Sequence, residues 1–547
     1  MRRVKIKLFL AILGLGLILR IYGLEQIPNS LSADEASFAY NAYSILKTGR
    51  DEFGHRFPLY FQSFDDYKNP VFGYFLIPFI YFGGLNTWSI RFASVLAGTM
   101  VIPLFFLLTR KLTANPRLAL LNALLAAISP WLIQYSRVAI DMELALFFSL
   151  LAVWVFLAAA KHKFLYLLSA LVFGLSFYTY HSSRVWVIGF GLVLLILNRK
   201  FNRYIFGGLI ILGLMTFPYF LSLRNSQVAL RPYAVSVFAN REEVNRDARD
   251  LQSEVKQKIP GAKLVHNRRL TFINQTVNGY LKILNPDLLF GQNLYNQIGS
   301  TRLFYLWQLP MILLGIIVLL KNRYQSWFIL SWILIGYLPG GLTLLPVFDR
   351  RIFLNSFPLL LLASLGTVQL VKYFKLRFLR LQKIAAVAIA ISIGLSFHFY
   401  LHNYFIHGRD TIVELWGNGM KQMVLTAKNL RPKYDEVFVS LKLNQTLTFF
   451  LFYEPYPPEK YLAEGGTVSG GYLDERNHFA NYRFKFIQTK DLKPDTLYIW
   501  SADELQPCLG VLQTTTLTDG TPFAHFGIFD PTLAGCQTST LSFAYTP

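Results

Sequence analysis

The sequence predicts a mainly α-helical integral membrane protein. It has eleven transmembrane helices and a C-terminal extracytoplasmic α/β or α+β domain. Three observations carry that reading. Of 547 residues, 53% are hydrophobic and 15% charged, against roughly 25% charged in a soluble domain, and the mean hydropathy is +0.37. Apolar segments recur at 8–24, 71–85, 92–109, 118–134, 142–160, 164–180, 185–198, 204–222, 303–320, 327–345, 353–371 and 384–401, many near the ~20 residues that cross a bilayer. Six short connections are rich in Lys and Arg and contain no Asp or Glu, the mark of cytoplasmic loops.

The net charge of +22 would point to nucleic acid in a soluble protein. Here the basic residues lie between apolar spans, so membrane lipids with anionic headgroups are the expected partners and nucleic acid is not. The chain starts Met1-Arg2-Arg3-Val4-Lys5-Ile6-Lys7 before an apolar run longer than a signal h-region. It is read as a retained anchor with a cytoplasmic N-terminus. The other five basic connections are Arg110-Lys111…Arg117, Lys161-His162-Lys163, Arg199-Lys200…Arg203, Lys321…Arg323 and Lys372…Lys383. All six fall on one side if segment 71–85 does not cross. Gly73, Pro78 and Gly83-Gly84 interrupt it and Pro70 precedes it, so it is taken as re-entrant or interfacial. The remaining eleven spans place the C-terminus outside, at a plasma membrane.

Two domains follow: a transmembrane domain over 1–401, with outer loops 25–91 and 223–302, and an extracytoplasmic domain over 402–547. In the second loop, residues 241–258 read as a charged surface helix and 280–290 as an amphipathic element suited to a leaflet surface. The tail has a helical pattern near 411–430. Strand patterns cover 437–441, 498–500, 526–529 and 541–545, and 447–451 reads as a strand or a buried helix. Cys508 and Cys536 form either one disulfide or two buried thiols.

With this topology the acids gather outside. Asp34-Glu35 follow the first span at the start of a helix that Gly49 ends. Ser32 and Glu35 have capping-box spacing, which by itself accounts for the pair. Arg137 and Asp141 occupy a second outer turn, His181 and Arg184 a third, and Asp349-Arg350-Arg351 a fourth. Carboxylates and guanidinium groups on one face suit transfer of a sugar from a lipid-linked phosphate. A carboxylate takes the acceptor hydroxyl's proton, and guanidinium forks stabilise the departing phosphate. Glu52, His55, Asp65 and Asp66, with Asp141, have the oxygen-rich chemistry for a divalent cation, Mg or Mn; a solvated acidic loop is the preferred account, with the cation as the alternative. No P-loop, dinucleotide fingerprint, H-E-x-x-H or G-x-S-x-G is present.

At these residues the chain resembles the GT-C glycosyltransferases, in particular bacterial family 39 members similar to protein O-mannosyltransferases, and the lipid A aminoarabinose transferases. The resemblance rests on Asp34-Glu35, Thr48-Gly49-Arg50-Asp51-Glu52-Phe53-Gly54-His55 and Tyr67-Lys68-Asn69-Pro70. It continues through Ser89-Ile90-Arg91, Ser129-Pro130-Trp131, Ser136-Arg137, Tyr178-Thr179-Tyr180-His181-Ser182-Ser183-Arg184 and Trp416-Gly417-Asn418-Gly419. It implies inverting transfer of a hexose or pentose, mannose-like or other, from a polyprenyl-phosphate donor. The acceptor is a hydroxyl of a protein, lipid or glycan at the outer face. Carried over, Asp34 is the catalytic acid of the first loop, with Glu35 in support, and Asp141 is the second acidic position. Where a Glu soon followed by Asn is expected after Arg137, this chain has Asp141-Met142-Glu143. Arg137, His181, Arg184, Arg350 and Arg351 are the expected donor-phosphate ligands. The competing classes are a transporter or flippase of lipid-linked sugars, and a membrane-anchored carbohydrate-binding protein. A transporter calls for midplane ionisable groups and a repeat of spans, which the sequence lacks. Eleven spans exceed what an anchor needs.

Overall fold

The computed structural model describes residues 2–63, 66–198, 201–224, 233–291, 302–344, 349–377, 379–408, 417–468, 475–533 and 536. Helices dominate. In chain order the first ten are α1 Arg2–Ile21, α2 Ala33–Thr48, α3 Pro70–Gly83, α4 Thr87–Thr113, α5 Pro116–Ile128, α6 Pro130–Ser136, α7 Asp141–Ala158, α8 Leu165–Phe177, α9 His181–Asn198 and α10 Arg203–Ser222. Further apolar helices cover Gln308–Leu319, Arg323–Gly341, Ser356–Arg377 and Leu379–His402.

Each of the eleven apolar segments assigned to the membrane carries a helix. Among the described residues, six stretches are long and apolar enough to cross: α4, α7, α9, α10, Asp349–Phe374 and Gln382–His407. A seventh arises if α5 and α6, bent by 55° at Ser129-Pro130, form one broken span. α8 and Gln308–Leu319 are shorter, as is α3. At ~1.5 Å per residue α3 is about 21 Å long, less than the ~30 Å hydrocarbon core. Polar caps start several helices. Asn115 accepts from the Arg117 and Leu118 N–H groups ahead of Pro116, and Asn202 and Asn322 cap α10 and Arg323–Gly341 in the same way. These side chains satisfy N–H groups that a helix start leaves open.

The chain divides into two compact units. The first holds 1–22, 94–137 and 141–404; the second holds 23–93, 138–140 and 405–547. This division differs from the expected break at 401/402, because the first outer loop groups with the C-terminal region. The first unit is built by close helix packing. A Cβ at Gly315 would overlap the Leu362 carbonyl, and one at Gly366 the Met311 carbonyl, so helices Gln308–Leu319 and Ser356–Arg377 meet backbone to backbone. Trp186, Phe190 and Trp332 pack together with ring centroids 4.7–4.9 Å apart, the first two stacked and Trp332 tilted against both. Charged helix Arg241–Lys256 has no buried residue, as its composition implies. The stretch 280–290 is not one element. Helix Arg268–Leu284 ends at Asn285, and in Pro286–Phe290 the side chains of Leu289 and Phe290 turn inward.

In the second unit, β1 Phe61–Ser63 and β2 Asp66–Lys68 form an antiparallel hairpin. β3 Glu436–Ser440, β4 His478–Phe479, β5 Tyr482–Lys485, β6 Thr496–Ser501, β7 Leu509–Thr516 and β8 Pro522–Phe529 form one sheet of order β4-β5-β3-β6-β8-β7. β3 is parallel to β5 and β6, and the outer pairings are antiparallel. Segment 447–451 is the buried-helix alternative, within Thr446–Tyr453. The helical pattern near 411–430 becomes Met420–Leu430. Strand pattern 541–545 and Trp416 lie outside the described residues. Cys508 and Cys536 are disulfide-bonded, 28 residues apart. The first loop and the tail pack directly within this unit. The Tyr40 hydroxyl donates to the Tyr456 carbonyl at 3.0 Å, and the Leu31 N–H donates to the Tyr453 hydroxyl at 3.1 Å.

Candidate active site

The acidic pair begins α2. Ser32 is extended, its hydroxyl accepts from the Glu35 N–H, and the Glu35 carboxylate accepts from the Ser32 N–H at 2.9 Å. Gly49 ends the helix in the left-handed region, with φ 70°. The capping box is therefore real, and it separates the two acids. Neighbouring helical residues point about 100° apart, so Glu35 turns inward while Asp34 faces out.

Glu35 is fully buried. Arg91 Nε donates to its Oε1 at 3.0 Å, and the Ala139 N–H donates to the same oxygen at 2.9 Å. The Arg91 guanidinium also donates to the carbonyls of Leu24, Pro28 and Ser30 at 2.7–2.9 Å. Both Glu35 oxygens are thus held by protein donors. This arrangement holds the start of α2 in place.

Asp34 differs. Its side chain is 46% exposed, and Lys68 Nζ lies 2.8 Å from Oδ1. Lys68 reaches it from β2, where it pairs with Phe61 across the hairpin. The ammonium also lies 4.8 Å from the Phe38 ring centre, within cation–π range. Helix start, accessible carboxylate and adjacent ammonium form a compact site of opposed charges. Sequence reasoning missed Lys68 and Arg91 as site residues. Their signal was that both stand in motifs quoted for the resemblance.

Glu52 and His55 do not converge. Asn41 Nδ2 donates to Glu52 Oε1 at 2.6 Å, and the Thr467 hydroxyl donates to Oε2 at 2.8 Å. His55 instead pairs with Asp51, Nδ1 to Oδ2 at 3.2 Å. Asp65 lies outside the described residues, and for Asp66 the backbone alone is described, in β2. Among the described residues no three metal-ligating side chains gather. Burial raises the Glu52 carboxyl to about 7, against the Thr467 and Asn41 hydrogen bonds and the Lys68 charge that oppose the shift; Asp51 adds to it. An acid with a raised folded-state pKa holds its proton longer when folded. Its stabilising effect is complete below about 4.5 and is lost as pH rises through about 7. The wild type is therefore expected to lose about 3 kcal/mol between those pH values relative to Glu52→Gln. Thermal melts of both proteins across that range check it, and parallel curves would refute it.

The other expected residues belong to the first unit. The Arg137 guanidinium is buried and donates to the carbonyls of Leu19, Arg20 and Tyr22 at 2.7–3.1 Å. Through Nη1 it closes the C-terminal end of α1. Asp141 starts α7, half-buried. Glu143, two residues on, is fully buried against the Arg20 charge. That burial favours Asp141 as the accessible acid of the pair. Tyr180 stands in the combined field of Arg350, Asp141, Arg351 and Asp349. Asp349 anchors this group: the Tyr135 hydroxyl reaches both its oxygens at 2.8–2.9 Å, and the Trp131 indole N–H donates at 3.1 Å. The Arg184 guanidinium carbon lies 4.1 Å from the Tyr219 ring centre, with its Nη1 3.2 Å from His181 Nδ1. Arg has no acceptor, so His181 accepts there as the neutral Nε2–H tautomer.

Comparison with known proteins follows this geometry. Residues 67–221 match the sequence model of the dolichyl-phosphate-mannose-protein mannosyltransferase family. A comparison with curated proteins finds no match. Among solved structures, ArnT from Cupriavidus metallidurans in the apo state superposes with a TM-score of 0.54 at 12% identity, covering 95% of this chain and 97% of that one. The same protein bound to undecaprenyl phosphate gives 0.52 at 12% identity with the same coverage. The Archaeoglobus fulgidus oligosaccharyltransferase tethered with an acceptor peptide gives 0.50 at 13% identity, covering 82% of this chain and 63% of that one. The chain therefore spans about three fifths of that oligosaccharyltransferase's length. These similarities place the chain in the GT-C membrane fold.

Proposed function

We propose that the protein is a glycosyltransferase that moves a sugar from a polyprenyl-phosphate donor to an acceptor hydroxyl at the outer face of the membrane. The observation that carries this reading is the exposed Asp34 carboxylate, 2.8 Å from the Lys68 ammonium. It is supported by a fold shared with a protein solved bound to undecaprenyl phosphate.

Asp34 accepts the acceptor's proton as that oxygen attacks the anomeric carbon. The bond from this carbon to the phosphate oxygen breaks, and polyprenyl phosphate leaves with the electron pair. Attack opposite the leaving group inverts the centre. Lys68 can exchange its carboxylate partner for the phosphate, which frees Asp34 for the acceptor and stabilises the departing charge. His181, Arg184, Arg350 and Arg351 are assigned to the donor phosphate by their chemistry, and Asp141 to the second acidic position. The basic connections face the cytoplasm and the C-terminal domain faces out. The Cys508–Cys536 disulfide suits that side, since such bonds persist in oxidising compartments.

The test is mass spectrometry of membranes containing the protein after incubation with defined polyprenyl-phosphate hexoses and pentoses. The expected result is an acceptor heavier by one sugar residue together with free polyprenyl phosphate. Donor that changes leaflet while remaining intact would refute transfer and support a flippase.

A further inference from the structure

The inner halves of α7, α8, α9 and α10 enclose a cavity of about 200 Å³ within the first unit. Phe156, Tyr166, Phe173 and Ile205 form its walls, and nearly all of its surface is carbon. For scale, a dry cavity of about 150 Å³ holds benzene, so this one takes a length of hydrocarbon chain and not a sugar or headgroup. Its mouth is framed by Ile188, Leu192 and Leu209, which are 47%, 56% and 39% exposed. Those are surfaces a bilayer covers. Gly191 lines the cavity, and a Cβ there would meet nothing within 4 Å.

The rim is basic. Exposed Lys161 and Lys163 precede α8, and exposed Arg203 starts α10 with its guanidinium 5.0 Å from the Tyr204 ring centre. Tyr166 and Asn198 hydrogen-bond at 3.3 Å at the same level. On α9 the lining begins at Val187, three residues (~4.5 Å) below Arg184, and neither His181 nor Arg184 lines the cavity. An apolar slot opening to the bilayer beneath a cluster of cations matches one ligand chemistry, an anionic phospholipid.

We infer that this cavity binds one acyl chain of an anionic diacyl phospholipid of the inner leaflet, its headgroup held by Lys161, Lys163 and Arg203. The inference rests on the membrane orientation proposed above and not on the identity of the sugar. The test is native mass spectrometry of the purified full-length protein with equimolar phosphatidylglycerol and phosphatidylcholine of matched chains. The wild type is expected to retain phosphatidylglycerol at least about tenfold over phosphatidylcholine, given three cations at the surface. Gly191→Phe fills the slot and lowers retention of both lipids. Gly213→Phe, on α10 outside the cavity and equally free of neighbours within 4 Å, leaves retention unchanged. Lys161→Ala/Lys163→Ala/Arg203→Ala abolishes the preference while keeping chain binding, a readout that stands even if Gly191→Phe fails to fold. Equal retention of both lipids by the wild type would overturn the inference, as would full retention by Gly191→Phe. Displacement of phosphatidylglycerol by one equivalent of polyprenyl phosphate would overturn it in favour of the donor's tail. None of these readouts depends on turnover, so loss of the transferase reading leaves them interpretable.

Discussion

Asp34→Asn lowers sugar transfer by about 10²- to 10⁴-fold, the range for removing a general base, while the protein stays folded and retains donor. The substitution keeps shape and volume. The capping box that starts α2 uses Ser32 and Glu35, so the helix does not depend on Asp34. The ion pair with Lys68 is lost; the Asp34 side chain is 46% exposed but that of Lys68 only 8%, so the loss falls between the ~1 kcal/mol of an exposed pair and the ~3–5 kcal/mol of stranding a buried charge. What disappears is the anionic oxygen that takes the acceptor's proton. Single-turnover assays with saturating polyprenyl-phosphate sugar, run beside thermal melts and donor-retention measurements, separate chemistry from folding and binding. Turnover above about a tenth of wild type would remove Asp34 from the reaction, because even the weakest general base contributes more.

Much of the membrane architecture was legible because hydropathy and loop charge are local properties. Each assigned segment carries a helix; α3 is no shorter than α8 or Gln308–Leu319, so its length does not set it apart from the assigned spans. The acidic pair was legible as a helix start because S-x-x-E is a spacing rule. Its division of labour was not. Which of Asp34 and Glu35 turns inward depends on Arg91, 56 residues away, and on the Ala139 N–H, 104 residues away. Nor was it legible that Arg137 Nη1 meets the carbonyls of Leu19, Arg20 and Tyr22, more than 110 residues earlier in the chain. The tail's strands β4, β5 and β7 escaped notice because β4 and β5 are two and four residues long, and apolar and polar residues do not alternate in β7. Nor does anything local in residues 23–93 announce that they pack with a tail beginning more than 300 residues later, through contacts such as Tyr40 to Tyr456 and Glu52 to Thr467. Those contacts make the tail part of the unit that carries Asp34.

Arg91→Met destabilises the protein by about 3–5 kcal/mol, the cost of stranding one member of a buried ion pair. The substitution preserves an unbranched side chain but removes every donor. It leaves the Glu35 carboxylate without its cation and the carbonyls of Leu24, Pro28 and Ser30 without the hydrogen bonds they accept. Glu35→Gln costs less. Its amide oxygen still accepts from Arg91 and Ala139, but its amide nitrogen meets the Ser32 N–H that Glu35 Oε2 receives at 2.9 Å. In the double variant the stranded charge is gone, so Glu35→Gln/Arg91→Met falls short of the summed single effects by about 1–3 kcal/mol. Urea or thermal unfolding of all four proteins in one detergent measures that coupling. Additivity within about 0.5 kcal/mol would mean that Arg91 acts on the loop carbonyls alone and that Glu35 is held by its cap. Coupling of the expected size makes the pair the fixture that aims Asp34. Arg91→Met should then lower turnover even at temperatures where the variant remains folded, because the first turn of α2 no longer has a fixed direction.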